Sequence, residues 1–376
     1  MTDRIAFTGA DIHDGHRLHH GAALLVIAGR ATALLAEASI PEGFEVRRME
    51  GGTICPGFVD LQVNGGGGVM FNDRPDAETL RVIAEAHRAL GTTALLPTLI
   101  TDRAEASAAA IEAVVQAISQ GMPGIVGLHL EGPHLSMARK GAHDADLVRP
   151  MGDADMAMLE SAAARLPNLM LTVAPETVTP VQIARLTAAG VIVSLGHSDA
   201  GYDVCRAAFA AGACCTTHLF NAMSGLGHRE PGLVGATLDG KGVAGLIADA
   251  IHVHPAAIRA ALRARPDGVF LVTDAMAPVG SDITEFTLNG RRILRRDGRL
   301  TLADGTLAGA DLSMPRAIEV MRNEVGMDLE RAIAMATAAP ARVLRAPLGA
   351  GRLIGAALER IVHLTADLRR ASPLRP

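Results

Sequence analysis

Five polar residues stand at or just beyond the ends of short apolar runs. Glu131 closes GIVGLHLE, His197 follows VIVSLG, His218 follows ACCTT, His252 lies two residues past VAGLIADA, and Asp274 follows VFLVT. Two histidines and one glutamate form a catalytic metal-ligand set that leaves a fourth position for water. An aspartate beside such a set is placed to take a proton from that water. Taken singly, each residue has a plainer reading: a histidine after a strand is commonly a hydrogen-bonded structural residue, and an aspartate there commonly caps a helix. The chemistry requires a fold that gathers all five at one face.

The rhythm of the chain supplies one. Eight short apolar runs occur at 58–63, 94–97, 125–130, 169–174, 191–195, 213–217, 243–248 and 269–273. Helix-like stretches such as 77–90, 104–119, 179–189 and 203–211 lie between them. Eightfold strand–helix alternation predicts an α/β fold, a (β/α)8 barrel, whose strand C-termini share one face. An open doubly wound sheet is the alternative. No Gly-x-Gly-x-x-Gly opens a helix after the first strand, and Gly65–Gly68 lacks the Lys-Ser/Thr of a phosphate loop.

Flanking the barrel, residues 1–54 read as short strands and turns, with a hairpin around Gly29-Arg30. Asn289-Gly290 between apolar runs predicts a second hairpin. Residues 317–325 and 329–344 read as helices. The expected organisation is a small β-sandwich built from both chain ends (1–54 and 346–376) around a catalytic barrel (55–345).

Composition narrows the classes. The 376 residues are 49% hydrophobic, with no Trp, one Tyr and eight Phe, and the net charge is −5. No basic block addresses nucleic acid or an acidic membrane, and aromatic stacking platforms are lacking. The short clusters Arg291-Arg292, Arg295-Arg296 and Arg369-Arg370 read as solvated surface. Cys55, Cys205, Cys214 and Cys215 fit no zinc-ribbon spacing and read as small core residues in a reducing compartment. No basic-then-apolar leader and no long uncharged apolar run occur. The expectation is therefore a cytoplasmic protein without a membrane span. His13, His16, His19 and His20 are discounted as a metal site and read as a solvated loop.

Longer motifs join the single residues: Pro56-Gly57-Phe58-Val59-Asp60, Gly91-Thr92-Thr93, Leu128-His129-Leu130-Glu131-Gly132-Pro133 and Lys140-Gly141-Ala142-His143. Gly196-His197-Ser198, Thr217-His218-Leu219-Phe220-Asn221-Ala222-Met223 and Gly227-His228-Arg229-Glu230-Pro231-Gly232 continue the series. Ile247 to Val253, Val272-Thr273-Asp274-Ala275 and Leu307-Ala308-Gly309 complete it. In these stretches, from about 55 to 345, the chain resembles the amidohydrolase superfamily and, within it, the N-acetylglucosamine-6-phosphate deacetylases.

The resemblance implies roles. Glu131, His197 and His218 would bind one divalent metal, with zinc first and iron(II) also suiting the donors. Asp274 would act as general base and then acid, and His143 would stabilise the acetyl carbonyl oxygen. Ala142, Asn221, Ala222, Arg229, His252, Leu307, Ala308 and Gly309 would hold the sugar phosphate. Asn221-Ala222 is read as a helix opening that suits an anion. Arg229 would reach the neighbouring active site of a homodimer. The chain departs from many superfamily members at Gln62-Val63-Asn64, where they carry His-x-His and bind two metals. Neutral amides are weak ligands, which predicts one tightly held ion. His134 and the 357–362 stretch also depart from the usual pattern. Two other readings stay open: another amidohydrolase acting on a related N-acyl sugar or cyclic amide, and a non-catalytic sugar-phosphate sensor.

Overall fold

The protein is described from a computed structural model covering residues 4–375; positions 1–3 and 376 of the end segments lie outside the described residues. Eight parallel strands form one sheet: β1 (Phe58–Val63), β2 (Thr92–Ile100), β3 (Leu128–Glu131), β4 (Leu169–Val173), β5 (Ile192–Leu195), β6 (Cys215–Thr216), β7 (Val243–Ile247) and β8 (Val269–Val272). Their order in the sheet is their order in the chain. The sheet closes at its seam through a parallel bridge between Val63 and Ala275. Strands β1, β3, β4, β5 and β8 are buried at every position, as a barrel covered by helices demands.

A helix follows each strand: α1 (Ala77–Ala89), α2 (Ala104–Ser119), α3 (Asp153–Arg165), α4 (Pro180–Ala189), α5 (Tyr202–Ala210), α6 (Gly232–Asp239), α7 (Pro255–Ala264) and α8 (Met314–Val320). Local chemistry sets their ends. Asp76 caps α1 by accepting the Thr79 N–H at 2.9 Å, and Leu80, Ile83, Ala84 and His87 then recur on the buried face. Thr179 and Gln182 form a capping box at the start of α4, with Pro180 at the first turn, and Gly190 closes it at φ +104°.

Both chain ends meet in two further sheets. Arg4–Thr8, Ala22–Ile27, Arg30–Ala36 and Glu45–Arg48 form a four-stranded sheet. In the five-stranded sheet, Ile361–Leu364 pairs antiparallel with Thr53–Pro56, so the C-terminal stretch completes a layer begun by the N-terminal one. Ile5, Phe7, Ile12, Leu24, Ile54, Leu353, Leu358 and Ile361 fill the space between them. This is the expected sandwich beside a (β/α)8 barrel.

Several expectations need correction. The 329–344 helix is two pieces, Leu329–Ala336 and Ala338–Ala341, because Pro340 cannot donate within a helix and crowds the preceding turn. The 317–325 helix starts earlier, at Met314, and its last turn widens to a π-turn over Met321–Val325. His13 is not in a solvated loop: it is fully buried on the strand Asp11–His13, with Nε2 2.9 Å from the Glu330 carbonyl. Cys214 is exposed at the entrance to β6, whereas the other three cysteines are buried. Arg291 and Arg295 are not simple surface charges; Arg295 pairs with Asp311 at 2.6 Å and Arg291 bonds the Ala142 carbonyl. Among the described residues, no helix is long and apolar enough to cross a membrane.

Candidate active site

The site sits where the strands end. Glu131 is the last residue of β3. His197, His218 and Asp274 each stand two residues past a strand, at φ +47°, +30° and +51°. Positive φ is uncommon for residues with side chains, and such conformations cluster at functional sites. Here the sharp turn stops the strand and swings each side chain into the mouth.

Four buried groups converge. His218 Nε2 lies 3.1 Å from Glu131 Oε1 and 3.0 Å from His197 Nε2, and His197 Nε2 lies 3.3 Å from Glu131 Oε1. The rings of His143 and His197 meet edge to face at 4.4 Å. Burial pushes the Glu131 carboxyl up, but the neighbouring imidazoles of His197 and His218 outweigh it and hold it well below the ordinary range. An anion facing two imidazole nitrogens at such distances is a donor set that suits a divalent cation. His143 offers a competing arrangement, because Glu131, His143 and His197 also present ligand atoms within 4.8 Å of one another. His197 Nδ1 meets the Arg139 carbonyl at 2.9 Å, the kind of outer contact that orients a metal-bound imidazole.

Asp274 completes the ring at the barrel seam. Its backbone N–H donates to the Gln62 carbonyl at 3.0 Å, and Asn64 N–H donates to the Ala275 carbonyl at 2.8 Å. Below it, Thr273 donates its hydroxyl to Asp60 at 2.5 Å, tying β8 to β1. The amides of the departure motif now show a use. Gln62 Nε2 donates to both Glu131 Oε1 (3.1 Å) and Asp274 Oδ1 (3.2 Å), and Asn64 Nδ2 donates to Asp274 Oδ1 at 2.6 Å. They place N–H groups between two carboxylates that would otherwise repel. Burial first, then the Glu131 charge, push the Asp274 carboxyl up to about 6. A carboxyl poised there can accept and return a proton near neutral pH.

A cavity of about 390 Å³ opens over these groups. Ala142, Asn221, Ala222, His252, Leu307, Ala308 and Gly309 line it beside Asn64 and Met276, so these residues come together around one cavity. Arg229 does not join it; it is exposed, in the loop between Gly225 and Glu230. Nor does Asn221-Ala222 open a helix. Those residues lie in a turn, with Ala222 at φ +48° and its carbonyl accepting the Ser198 N–H, and α6 begins only at Gly232. His134 is buried against the Arg149 carbonyl and stays outside the cavity. His252 bonds Asp249 at 2.6 Å. Burial lowers its basicity, but the Asp249 carboxylate outweighs this and raises it. Asp249, Asp60, Thr101 and Arg139 were not singled out from sequence; the first two stand in the motifs around His252 and Phe58, where Asp249 acts through a tight turn onto His252 and Asp60 through a contact across strands to Thr273.

The Amidohydrolase family profile matches residues 53–353. The chain is 45% identical over 304 residues to the N-acetylgalactosamine-6-phosphate deacetylase of Shewanella sp. (strain ANA-3), covering 80% of this chain and 76% of that protein. It is 35% identical over 315 residues to the N-acetylglucosamine-6-phosphate deacetylase of Haemophilus influenzae, covering 83% and 82%. The crystal structure of N-acetylglucosamine-6-phosphate deacetylase from Pasteurella multocida superposes with a TM-score of 0.93 at 34% identity, over 98% of this chain and 97% of that one. A buried Glu/His/His group at strand ends, an aspartate at the seam and a matching profile over most of the chain agree: this protein belongs to the amidohydrolase family.

Proposed function

We propose that the chain hydrolyses the acetamide of N-acetyl-D-glucosamine 6-phosphate to D-glucosamine 6-phosphate and acetate, a step of amino-sugar catabolism. The observation that supports this most is the buried group of Glu131, His197 and His218 facing Asp274 at the floor of a sugar-sized cavity.

Glu131, His197 and His218 would hold one divalent metal, zinc or iron(II). When bound, the ion supplies Lewis acidity that makes water nucleophilic near neutral pH. Asp274 takes a proton from water as its oxygen bonds to the acetyl carbon. His143 donates from Nε2 to the developing oxyanion. Asp274 then returns the proton to nitrogen as the C–N bond breaks, so one water is consumed and amine and acetate leave. Gln62 and Asn64 hold the Asp274 carboxylate by N–H donation. His252, Asn221, Ala222, Ala142 and residues 307–309 seat the sugar phosphate.

Further readings accompany this one. Arg229, exposed and outside its own cavity, suits a role in the site of a second copy in a homodimer. The division into 1–54, 55–345 and 346–376 is supported by the separate terminal sheets, although the strand Thr53–Pro56 crosses its first boundary. Reduced cysteines suit the cytoplasm. The 45% identity to an N-acetylgalactosamine-6-phosphate deacetylase favours a second reading, in which the 4-epimer is the better substrate.

The test is to incubate the metal-analysed protein with both 6-phosphates and with unphosphorylated N-acetylglucosamine, and to measure acetate. Release from a phosphorylated sugar alone supports the reaction and the anion pocket, and the ratio of kcat/KM decides the epimer. A folded, metal-loaded protein that releases no acetate from either phosphate overturns the assignment.

A further inference from the structure

His143 and His197 are neighbours with rings 4.4 Å apart, and both reach Glu131. Proximity alone does not say which one ligates a metal, since Glu131, His143 and His197 are themselves close enough to share an ion. Backbone groups distinguish them.

The Thr101 backbone N–H donates to His143 Nδ1 at 3.3 Å, and the Thr101 hydroxyl lies 2.8 Å from the same nitrogen. A backbone N–H can only donate, so Nδ1 must accept and carries no proton. The ring proton of His143 then sits on Nε2, the nitrogen that faces Glu131 Oε2 at 3.9 Å. A protonated nitrogen cannot give a lone pair to a metal, but it can donate to an oxyanion. At His197 the backbone group is reversed. The Arg139 carbonyl, 2.9 Å away, can only accept, so Nδ1 carries the proton. His197 Nε2 is left with its lone pair toward His218 and Glu131.

We infer that Thr101 is a positioning residue: its N–H and hydroxyl lock His143 in the Nε2–H tautomer, opposite to His197, and so make His143 an oxyanion donor and not a ligand. This rests on the deacetylase reading for the identity of the oxyanion, but the tautomer itself does not. Thr101 is buried at the end of β2, directly after Ile100, and its neighbour Ile100 is held in turn by Asn72 through its N–H and carbonyl at 3.1 Å. The donor therefore stands on a fixed strand end. The position also explains why a histidine on a long loop, well away from any strand, can be aimed as well as the ones on strand ends.

Two measurements test it. In zinc-loaded protein carrying ¹⁵N-histidine, the His143 ring, assigned by its loss in His143→Gln, is expected to show a protonated Nε2 and a bare Nδ1, and His197 the reverse. A proton on His143 Nδ1, or a metal-bound His143 Nε2, overturns the inference while leaving deacetylation intact. Thr101→Val is expected to keep one metal and an unchanged KM while kcat falls about tenfold, a part of the ~10²–10³ that deleting an oxyanion donor costs. Thr101→Ser, which keeps the hydroxyl, is expected to restore wild-type kcat. Metal loss in Thr101→Val, or a Ser variant no better than Val, overturns it.

Discussion

Two sides of the active-site mouth are built by different means. One is the ring of strand ends, where Glu131, His197, His218 and Asp274 are buried and stitched to neighbouring strands by backbone bonds. The other is an insertion after β8. The strands Glu285–Leu288, Arg291–Arg296 and Arg299–Thr301 fold on a small core of Leu288, Ile293 and Leu300. This side reaches the mouth through a few polar contacts, such as Arg291 to the Ala142 carbonyl and His252 Nε2 to the Ala308 carbonyl at 3.1 Å. The ring holds its buried side chains on strand ends tied by backbone bonds. The insertion supplies one wall of the cavity, through Leu288 and residues 306–309. Changes on the ring should therefore act on kcat and stability, and changes on the insertion on KM.

The largest effect is expected at Asp274→Asn. The amide keeps the size and loses the basic site, so kcat should fall about 10²–10⁴-fold. Metal content and thermal midpoint should stay at wild type. A loss in kcat of the same size from Leu307→Ala, on the insertion side, would erase the distinction.

Next comes the seam beneath the base. Thr273 donates its hydroxyl to Asp60 at 2.5 Å, and both are fully buried. Thr273→Val removes that donor without changing volume and leaves the carboxyl under-satisfied, a cost of about 1–3 kcal/mol in urea unfolding. Arg292→Ala, which breaks the exposed pair with Glu285, should cost no more than about 0.5 kcal/mol. Equal costs would mean that the seam is no better fixed than the insertion.

This contrast also marks what could be read in the sequence. All eight strands were legible because each is a short apolar run bounded by a polar residue, and parallel strands buried on both faces leave that signature. The convergence of Glu131, His197, His218 and Asp274 was legible for the same reason, since a polar side chain just after such a run has one place to go. Thr101, Asp60 and Asp249 were not, because their partners lie on other strands or depend on turn geometry. Gln62 looked like a lost ligand until the distances to Glu131 and Asp274 gave it a use. Arg291 looked like surface until the insertion folded back on Ala142. The buried position of His13 likewise depends on a contact with Glu330, over three hundred residues away, which no local pattern encodes.

A third expectation concerns acid. His87, 3.0 Å from the Gly65 carbonyl, and His129, between Thr98 and Thr172, are pushed down to about 4 by burial. Their folded values lie below the 6.5 of the unfolded chain, so the unfolded state binds protons that the folded state refuses. Their stabilisation is complete above pH 6.5 and is lost as pH falls toward 4, by about 1.4 kcal/mol per pH unit for each histidine. The insertion, residues 285–309, contains no histidine and adds none of this histidine titration. Urea unfolding at pH 7 and pH 5 should show the loss, and His87→Gln should make it shallower. A slope untouched by that substitution would remove His87 from the account.

The smallest expected effect is the sharpest test of the division. Arg291 sits where the two sides touch, and its guanidinium bonds the carbonyl of Ala142, the residue before His143. If the insertion only shapes the pocket, Arg291→Ala should loosen the wall by about 1 kcal/mol and raise KM roughly fivefold. The aim of His143 should survive, because Thr101 holds it from β2 independently of the insertion. The expected outcome is thus a KM effect with kcat unchanged. A fall in kcat instead would mean that the insertion also steers His143 through the chain at Ala142, and that the two sides of the mouth form one mechanical unit.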